Sequence, residues 1–563
     1  MIVLYNADTY NVCIYTQAFA WSADSIGRAM ELFGDEPFVG RHISLSSAYS
    51  GIGTIEQSAH QVCHCLSGVR GPHTTHALWA LEKDAVCQAE LVSYFGGFGC
   101  DTCVFGNLKE LIPRSWWADL GFAAGAAELE LPPTQLYAKR LHHTLLMLDG
   151  RHCAAHVGRC TCKLRRSDVH IAGTTCVDHS SYGSCTGDEG RNVKCFLIWC
   201  ALMRQLCPCI ILHENVAGFG TVALHEALGD VYAVCPSVSC ASRMGYPIRR
   251  KRQMTILVLK AWIYPQLRDA GMASSCNPHD VRNLVDLQRT LDALSKRPCQ
   301  LTWKDFTVAS AEDMREEVAE AARRPGVVRR WVEASAGEAS TTDKTGKTCR
   351  VFAGDRGCPT LEALLPMERE RIESVLWQDS PGVDVIDVSQ NPDKRARVIK
   401  SGEHTFMTVI AGSGYLVRTD LMRQELHTTT LVTASDILSM SGFPITDEQV
   451  RHAGVPCMFS RSRAGDAPQC RSPKSMKKQI GNAMHFTHVG LMFFIALAKF
   501  RGLGAIVPSD LPGAISTQKR KREDDSDAES VASSGSAASS ASPLLMAVRA
   551  RRIRAGHRLP NVR

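Results

Sequence analysis

The chain has 563 residues, 45% of them hydrophobic and 21% charged, with 64 Lys plus Arg against 57 Asp plus Glu and a formal charge of +7. Such a length supports two or three domains with a large core, excludes a mainly disordered chain, and carries a charge mild enough to permit nucleic-acid binding without requiring it. The 23 cysteines follow no short regular framework, there is no run of 18 apolar residues and no charged-then-apolar leader, so the expectation is a soluble intracellular protein with reduced thiols and no membrane contact.

Residues 1–42 read as a short N-terminal extension, with one amphipathic helix over Trp21–Phe33. His42–Tyr49 alternates like a strand and runs into Ser50-Gly51-Ile52-Gly53-Thr54, a glycine-rich strand-to-helix turn on which backbone can close on a ligand. Glu56 opens the helix that follows. A second strand, His76–Leu81, ends at Glu82-Lys83-Asp84, where an acid is placed to accept from ribose hydroxyls. Cys103–Gly106 reads as a third strand, closing at Asn107-Leu108.

Residues 109–167 hold His152, Cys153, His156, Cys160 and Cys162. They make a ligand-like cluster whose spacing fits no standard zinc pattern, so the expectation is ordinary polar-loop residues and core thiols with a bound metal as the alternative, and Cys100 with Cys103 as a structural pair. Val169–Ala172 is a short buried strand that stops at Gly173-Thr174-Thr175 and delivers Cys176 onto a loop. A helix over Val193–Gln205 leads to the strand Cys209–Leu212, which ends at His213-Glu214-Asn215-Val216. If the two strands are parallel neighbours, thiol and carboxylate share one crevice at the carboxyl ends, where open α/β sheets place their chemistry. The competing reading is that Cys176 is ordinary core. Gly245-Tyr246-Pro247-Ile248-Arg249-Arg250-Lys251-Arg252 then precedes the strand Thr255–Leu259, fitting either a solvated strand edge or guanidiniums turned on a ligand.

A thiolate beside a carboxylic acid can add to an electron-poor ring carbon while the acid engages the ring nitrogen. Cytosine suits this pair, because its carbon 5 becomes nucleophilic only after addition at carbon 6. In these residues the chain resembles the DNA (cytosine-5) methyltransferases. Their nucleophile loop, Gly-Pro-Pro-Cys-Gln, stands here as Gly173-Thr174-Thr175-Cys176-Val177, and their acid motif Glu-Asn-Val as Glu214-Asn215-Val216. Tyr49–Thr54 matches the family's Phe-Ser-Gly-x-Gly-Gly except at the last glycine, and Asn107 stands where the family has Asp. Ile248–Arg252 matches Gln-x-Arg-x-Arg after Gly-x-Pro except at the Gln. Leu431–Pro444 is similar to Leu-Thr-x-x-Glu…Gln-Gly-Phe-Pro, and Gln479–Ala483 repeats Gln-Ile-Gly-Asn-Ala.

The resemblance implies an α/β fold: a doubly wound, mostly parallel sheet of the S-adenosylmethionine-dependent methyltransferase kind, with a smaller target-recognition lobe. It divides the chain into a catalytic domain at 43–261 with an insertion at 109–167, a recognition domain at 262–445, a return to the catalytic domain at 446–514, and a Ser-rich basic tail at 515–563. It further implies S-adenosylmethionine held by Tyr49, Ser50, Gly51, Ile52, Gly53, Glu82, Asn107, Leu108 and Asn482. Double-stranded DNA would lie in a cleft with the target cytosine flipped out. Cys176 would attack, Glu214 engage N3, Asn215 order the loop, and Arg250 and Arg252 hold the base. Thr175, Val177 and Asn107 depart from the family pattern, and without proline the nucleophile loop lacks a φ lock.

Ala309–Arg324 reads as a helix, Val383–Gln390 and Phe406–Arg418 as strands, and His488–Leu497 as an apolar core helix. Lys394, Arg395, Arg397 and Lys400 are candidate phosphate contacts or plain solvated surface. Lys519-Arg520-Lys521-Arg522 and the Arg-rich stretch 549–558 read as an import signal, a phosphate-binding tail or an inert one. The function expected is methylation of DNA cytosine in the nucleus. The rivals are a tRNA enzyme of the same fold and a catalytically silent DNA-binding relative.

Overall fold

The computed structural model describes residues 19–33, 42–70, 72–97, 101–113, 153–156, 162–180, 185–187, 190, 192–269, 278–295, 301–324, 341–342, 348–349, 359–365, 367–369, 371–372, 375, 383–389, 397–409, 415–418, 430–460 and 472–500. Cys100, His152, Cys160, Lys394, Arg395, the tetrad Lys519–Arg522 and the stretch 549–558 lie outside them.

The chain enters through α1 (Trp21–Phe33), then alternates β1 (His42–Ala48), α2 (Thr54–Arg70), β2 (Thr74–Leu81), α3 (Ala85–Gly97) and β3 (Cys103–Phe105). It resumes with β4 (Val169–Gly173), α4 (Val193–Leu206), β5 (Ile210–Val216), α5 (Val222–Leu228), β6 (Tyr232–Cys240) and β7 (Lys251–Leu259). These seven strands form one sheet in the order β3-β2-β1-β4-β5-β7-β6. Pairing is parallel from β3 through β5, while β7 runs antiparallel to both β5 and β6. The expected doubly wound, mostly parallel α/β sheet is present. β4, β5 and β7 read as near-continuous apolar runs because both faces of a parallel sheet are covered by helices.

The strand order reverses between β1 and β4, so the loops after these two strands open onto one crevice at their carboxyl ends. Two strands are longer than expected. β5 continues through Glu214 to Val216, and β7 starts at Lys251, so Glu214, Asn215 and Arg252 sit on the sheet rather than on loops beyond it.

Beyond β7 the chain runs through helices α6 (Lys260–Asp269), α7 (Pro278–Val285), α8 (Leu287–Ser295) and α9 (Ala311–Ala322). A short ribbon pairs β8 (Thr341–Thr342) with β9 (Thr348–Cys349). A second, antiparallel sheet joins β10 (Val383–Asp387), β11 (Val398–Lys400), β12 (Leu416–Arg418) and β13 (Thr430–Leu431) in the order β11-β10-β12-β13. It has its own small core of Leu361, Leu364, Ile372, Val383, Val417 and Leu431. The strand expected over Phe406–Arg418 is only β12; Phe406 instead bridges Ile248 of the first sheet's approach segment. Arg397 is not a free phosphate contact. Its Nη1 lies 2.7 Å from Asp387 Oδ2 with both side chains buried, whereas Lys400 is exposed.

The chain closes with α10 (Ala434–Met440), α11 (Asp447–Ala453), α12 (Pro473–Asn482) and α13 (Phe486–Lys499). α10 is opened by a reciprocal cap in which Thr433 and Asp436 exchange side-chain and backbone hydrogen bonds. The 27-residue stretch Pro473–Lys499 has the length and mean hydropathy of a membrane-crossing helix, but 83% of its most apolar window is buried inside the protein. Every residue of α13 from Phe486 to Ala498 is buried, the mark of a helix that is core on all sides. α13 packs on α1 and α2, which makes the N-terminal helix part of the main core.

The α1–α13 contact is tight at one point. A Cβ added to Gly490 would meet the Trp21 ring at 2.2 Å. Alanine in place of a helical glycine ordinarily gains about 1 kcal/mol. Here overpacking reverses the sign, and Gly490→Ala is expected to lose about 1–3 kcal/mol in urea unfolding. Adding Trp21→Ala should then cost less than the sum of the two single changes.

Candidate active site

The turn after β1 places the first half of the site. Tyr49, Gly51 and Gly53 have φ of 58°, 55° and 71°, three left-handed residues within five. That conformation is ordinary for glycine and uncommon for tyrosine, and strain of this kind collects where a ligand is gripped. A side chain at Gly53 would press on Gln57 and Leu91 at 3.2 Å, so the close approach of the turn to α2 and α3 also requires glycine.

The turn is tied to the tip of β2. Ser50 N–H donates to Leu81 O at 3.2 Å and Gly51 N–H to Glu82 Oε2 at 2.8 Å, while Asp84 N–H donates to Glu82 Oε1 at 2.8 Å. Each Glu82 oxygen keeps a lone pair for a further donor. Ile52 is fully buried beneath the turn. Asn107 accepts from Lys109 N–H at 3.1 Å and so caps the short turn holding buried Leu108.

Glu56, noticed in the sequence only as the residue opening α2, belongs with these. Its carboxyl is buried, accepts from Ser47 Oγ, and leaves Oε2 without a partner; the Tyr49 hydroxyl is likewise buried and unpartnered. Burial pushes the Glu56 carboxyl up to about 7, opposed by the Ser47 hydrogen bond and aided by the nearby Glu82 charge. Two acids beside one turn complement a cationic ligand and oppose a pyrophosphate.

The second half lies on β4, β5 and β7. Register pairs Ala48 with Ala172 and Gly173 with Glu214, so the turn after β1, the loop after β4 and the acid on β5 leave the sheet at one level. Gly173 passes close beneath Met484 and Glu214, at 3.1 and 3.4 Å from where a Cβ would stand. Cys176 is half-buried and Val177 exposed. This loop is held from the neighbouring strand. Buried Asn215 donates from Nδ2 to Thr174 O at 3.2 Å and to Thr174 Oγ1 at 2.9 Å, and the same hydroxyl meets His213 Nε2 at 2.7 Å. Burial holds His213 neutral, down to about 3. Thr174 and His213 were not singled out from the sequence, because their role depends on two strands being adjacent.

Arg252 is opposite Val216 in register and reaches diagonally to Glu214, its Nε 2.9 Å from Oε1, with both side chains 13% exposed. Arg250 is buried and donates to Ala483 O and to Val409 O at 3.5 Å. One guanidinium, on the residue before β7, thus joins the Val409 segment and the Gln-Ile-Gly-Asn-Ala motif. Burial, then Arg252, lowers Arg250 to about 9, leaving it cationic at neutral pH. Asn482, expected to hold cofactor, is exposed at the end of α12; within that motif Gln479, Ile480 and Ala483 are the buried members. Burial raises the Cys176 thiol, Glu214 raises it further, and Arg252 and Arg250 oppose both, so thiol, acid and two cations form one electrostatic cluster.

Outside this crevice, Cys153, His156 and Cys162 of the ligand-like cluster are joined by Cys103, read as a structural residue, and the four bring their ligand atoms within 4.8 Å of one another.

No family model matches the sequence, and no curated protein sequence matches it. Among solved structures the chain is similar to DNMT2 of Spodoptera frugiperda, at 12% identity over 80% of this chain and 99% of that one, with a TM-score of 0.34. It is similar to the Dnmt2 methyltransferase of S. pombe, at 12% identity over 81% and 98%, TM-score 0.35. A proposed DNA modification methyltransferase encoded within an E. coli prophage gives 12% identity over 82% and 100%, TM-score 0.38. Fold and chemistry here rest on the strand order and side chains of this chain.

Two outcomes follow. Alkylation of Cys176 should quicken with pH as thiolate forms; Glu214→Gln removes a negative neighbour, lowers the thiol pKa and speeds alkylation at fixed pH, whereas Arg252→Gln slows it, as read by mass spectrometry of iodoacetamide-treated protein. Glu56 has a folded pKa of about 7 against 4.5 for the free group. Its stabilising share is present below the unfolded value and lost as pH rises through 7, so Glu56→Gln should gain about 3 kcal/mol over the unaltered chain between pH 5 and pH 8 in denaturant unfolding.

Proposed function

We propose that this chain methylates carbon 5 of cytosine in duplex DNA, with S-adenosylmethionine as donor and a covalent Cys176 adduct as intermediate. The single observation that carries the reading is the convergence of Cys176, Glu214, Arg250 and Arg252 at the strand ends beside the turn after β1. When bound, S-adenosylmethionine supplies an electrophilic methyl group.

The residues around the turn suit that cofactor. The unpartnered Glu56 oxygen and the Glu82 carboxylate complement its positive charge, the remaining Glu82 lone pairs can take ribose hydroxyls, and the Asn107 amide lies at the tip of β3. A dinucleotide pyrophosphate would meet two carboxylates in the same place. Tyr49, Ser50, Gly51, Ile52 and Gly53 would close the backbone around the cofactor, with Leu108 supplying apolar surface.

The remaining work belongs to the chain's own side chains. Cytosine must leave the stack for its carbon 6 face to be reached. Cys176 gives up its proton to solvent, and its sulfur adds to carbon 6, forming the C–S bond as the ring's 5,6 electron pair moves toward carbon 5 and N3. Glu214 gives a proton to N3 as charge arrives there, and Arg252 beside it balances the carboxylate left behind. Asn215, Thr174 and His213 fix the loop that aims the sulfur. Once carbon 5 has its methyl group, its proton passes to a water, the C–H pair re-forms the 5,6 double bond, and the C6–S bond breaks with its pair returning to sulfur.

The long segment between β7 and the closing motif, with a core of its own, and the Lys519–Arg522 tetrad favour duplex DNA in the nucleus over tRNA. The test is incubation of full-length protein and S-adenosylmethionine with duplexes containing 5-fluorocytosine, whose fluorine cannot depart as the proton does. A denaturation-resistant protein–DNA complex is expected, lost in Cys176→Ala together with about a thousandfold or more of methyl transfer to ordinary duplex. Adducts with fluorinated tRNA alone would overturn the substrate, and adducts with neither would overturn the catalysis.

A further inference from the structure

We infer that Cys103, Cys153, His156 and Cys162 form a structural zinc site on the edge of the main sheet, a site that the methyl-transfer reading neither needs nor predicts. Cys103 begins the edge strand β3; Cys153 bridges Phe105 in antiparallel pairing, and Ala154 N–H donates to Val104 O at 2.8 Å. The segment 153–156 is thus laid along the outside of β3, and Cys162 closes the group from the approach to β4.

The distances are those of ligands around a shared ion. His156 Nδ1 lies 3.6 Å from Cys103 Sγ, 3.4 Å from Cys153 Sγ and 3.4 Å from Cys162 Sγ. A tetrahedral zinc with Zn–S of about 2.3 Å and Zn–N of about 2.0–2.1 Å puts sulfur and nitrogen about 3.6 Å apart and sulfur pairs about 3.8 Å apart. Hydrogen bonding alone does not account for the arrangement. One imidazole nitrogen offers either one N–H or one lone pair, and cannot serve three sulfurs at once.

Groups outside the four complete the case. His156 Nε2 lies 2.7 Å from Asp101 Oδ1, the carboxylate contact that fixes the proton on that nitrogen and turns the Nδ1 lone pair toward the sulfurs. Val104 N–H donates to Cys153 Sγ at 3.3 Å, as backbone amides do to metal thiolates. Cys153 and Cys162 are buried, and none of the three cysteines is in a disulfide. Three thiolates and one imidazole are soft donors that select zinc over magnesium or calcium, and four protein ligands leave no open position for catalysis. The ion would pin the connection that follows Asn107 and Leu108 to the sheet edge that presents them.

The test is metal content of full-length protein prepared without chelator, independent of any methyl transfer. About one zinc per chain is expected, falling to background in Cys162→Ser. Cobalt reconstitution should give the strong visible absorption of tetrahedral thiolate coordination. His156→Cys keeps four ligands and should retain metal with an altered cobalt spectrum even if Cys162→Ser fails to fold. Asp101→Asn, which touches no metal, should weaken zinc about 10–100-fold by chelator competition. Zinc-reconstituted protein that binds no more metal than Cys162→Ser, with a featureless cobalt spectrum, would overturn the site.

Discussion

The parallel pairing of β1 with β4 is the contact on which the crevice depends. It joins segments more than a hundred residues apart in the chain and sets Ala48 level with Ala172, so that a glycine turn and a cysteine loop issue side by side. β5 then continues the row, placing Glu214 against Gly173. A one-residue slip in such a pairing turns every side chain to the opposite face, which is why buried register is strongly specified. Ser44 N–H and Oγ both bond to Asp168 Oδ2, at 2.9 and 2.6 Å, and lock that register at the entrance of both strands.

Polar groups inside this framework do the tethering that loops alone would not. Arg250 spans three segments through carbonyl oxygens, and the buried Lys477–Glu317 pair, 2.8 Å apart, fastens α12 to α9. Breaking one partner of such a pair strands a buried charge, so these contacts fix geometry more than they add stability. His485 and His488 lie buried near Arg250 and Arg252, and burial keeps both neutral. The cations near Cys176 therefore face its thiol and the Glu214 carboxyl without competing imidazolium charge.

Periodicity made much of this legible. The helix over Trp21–Phe33, the first strand and its glycine turn, and the helix preceding Glu214 are where apolar spacing puts them. β6 escaped because Pro236, Ser237 and Ser239 interrupt its apolar run, and its pairing partner β7 supplies what the local sequence lacks. The charged opening of β7 read as an approach segment for the same reason. Arg397 looked like surface until Asp387 closed over it. Three members of the thiol cluster showed in the sequence as ligand types close together, but Cys103 did not, because it lies on a strand far upstream and only sheet topology joins it to them.

The position of α13 has a consequence for biosynthesis. This helix fills the middle of the first sheet's core, against Trp21 and α2, yet it is encoded nearly five hundred residues into the chain. While it is still within the ribosome, all seven strands of the main sheet have emerged around an unfilled apolar trough. Non-local closure of this kind is slow and leaves greasy surface open to strangers in the meantime. The nascent protein is thereby a natural client for chaperones, and truncation before Phe486 would yield an aggregating fragment rather than a smaller folded chain.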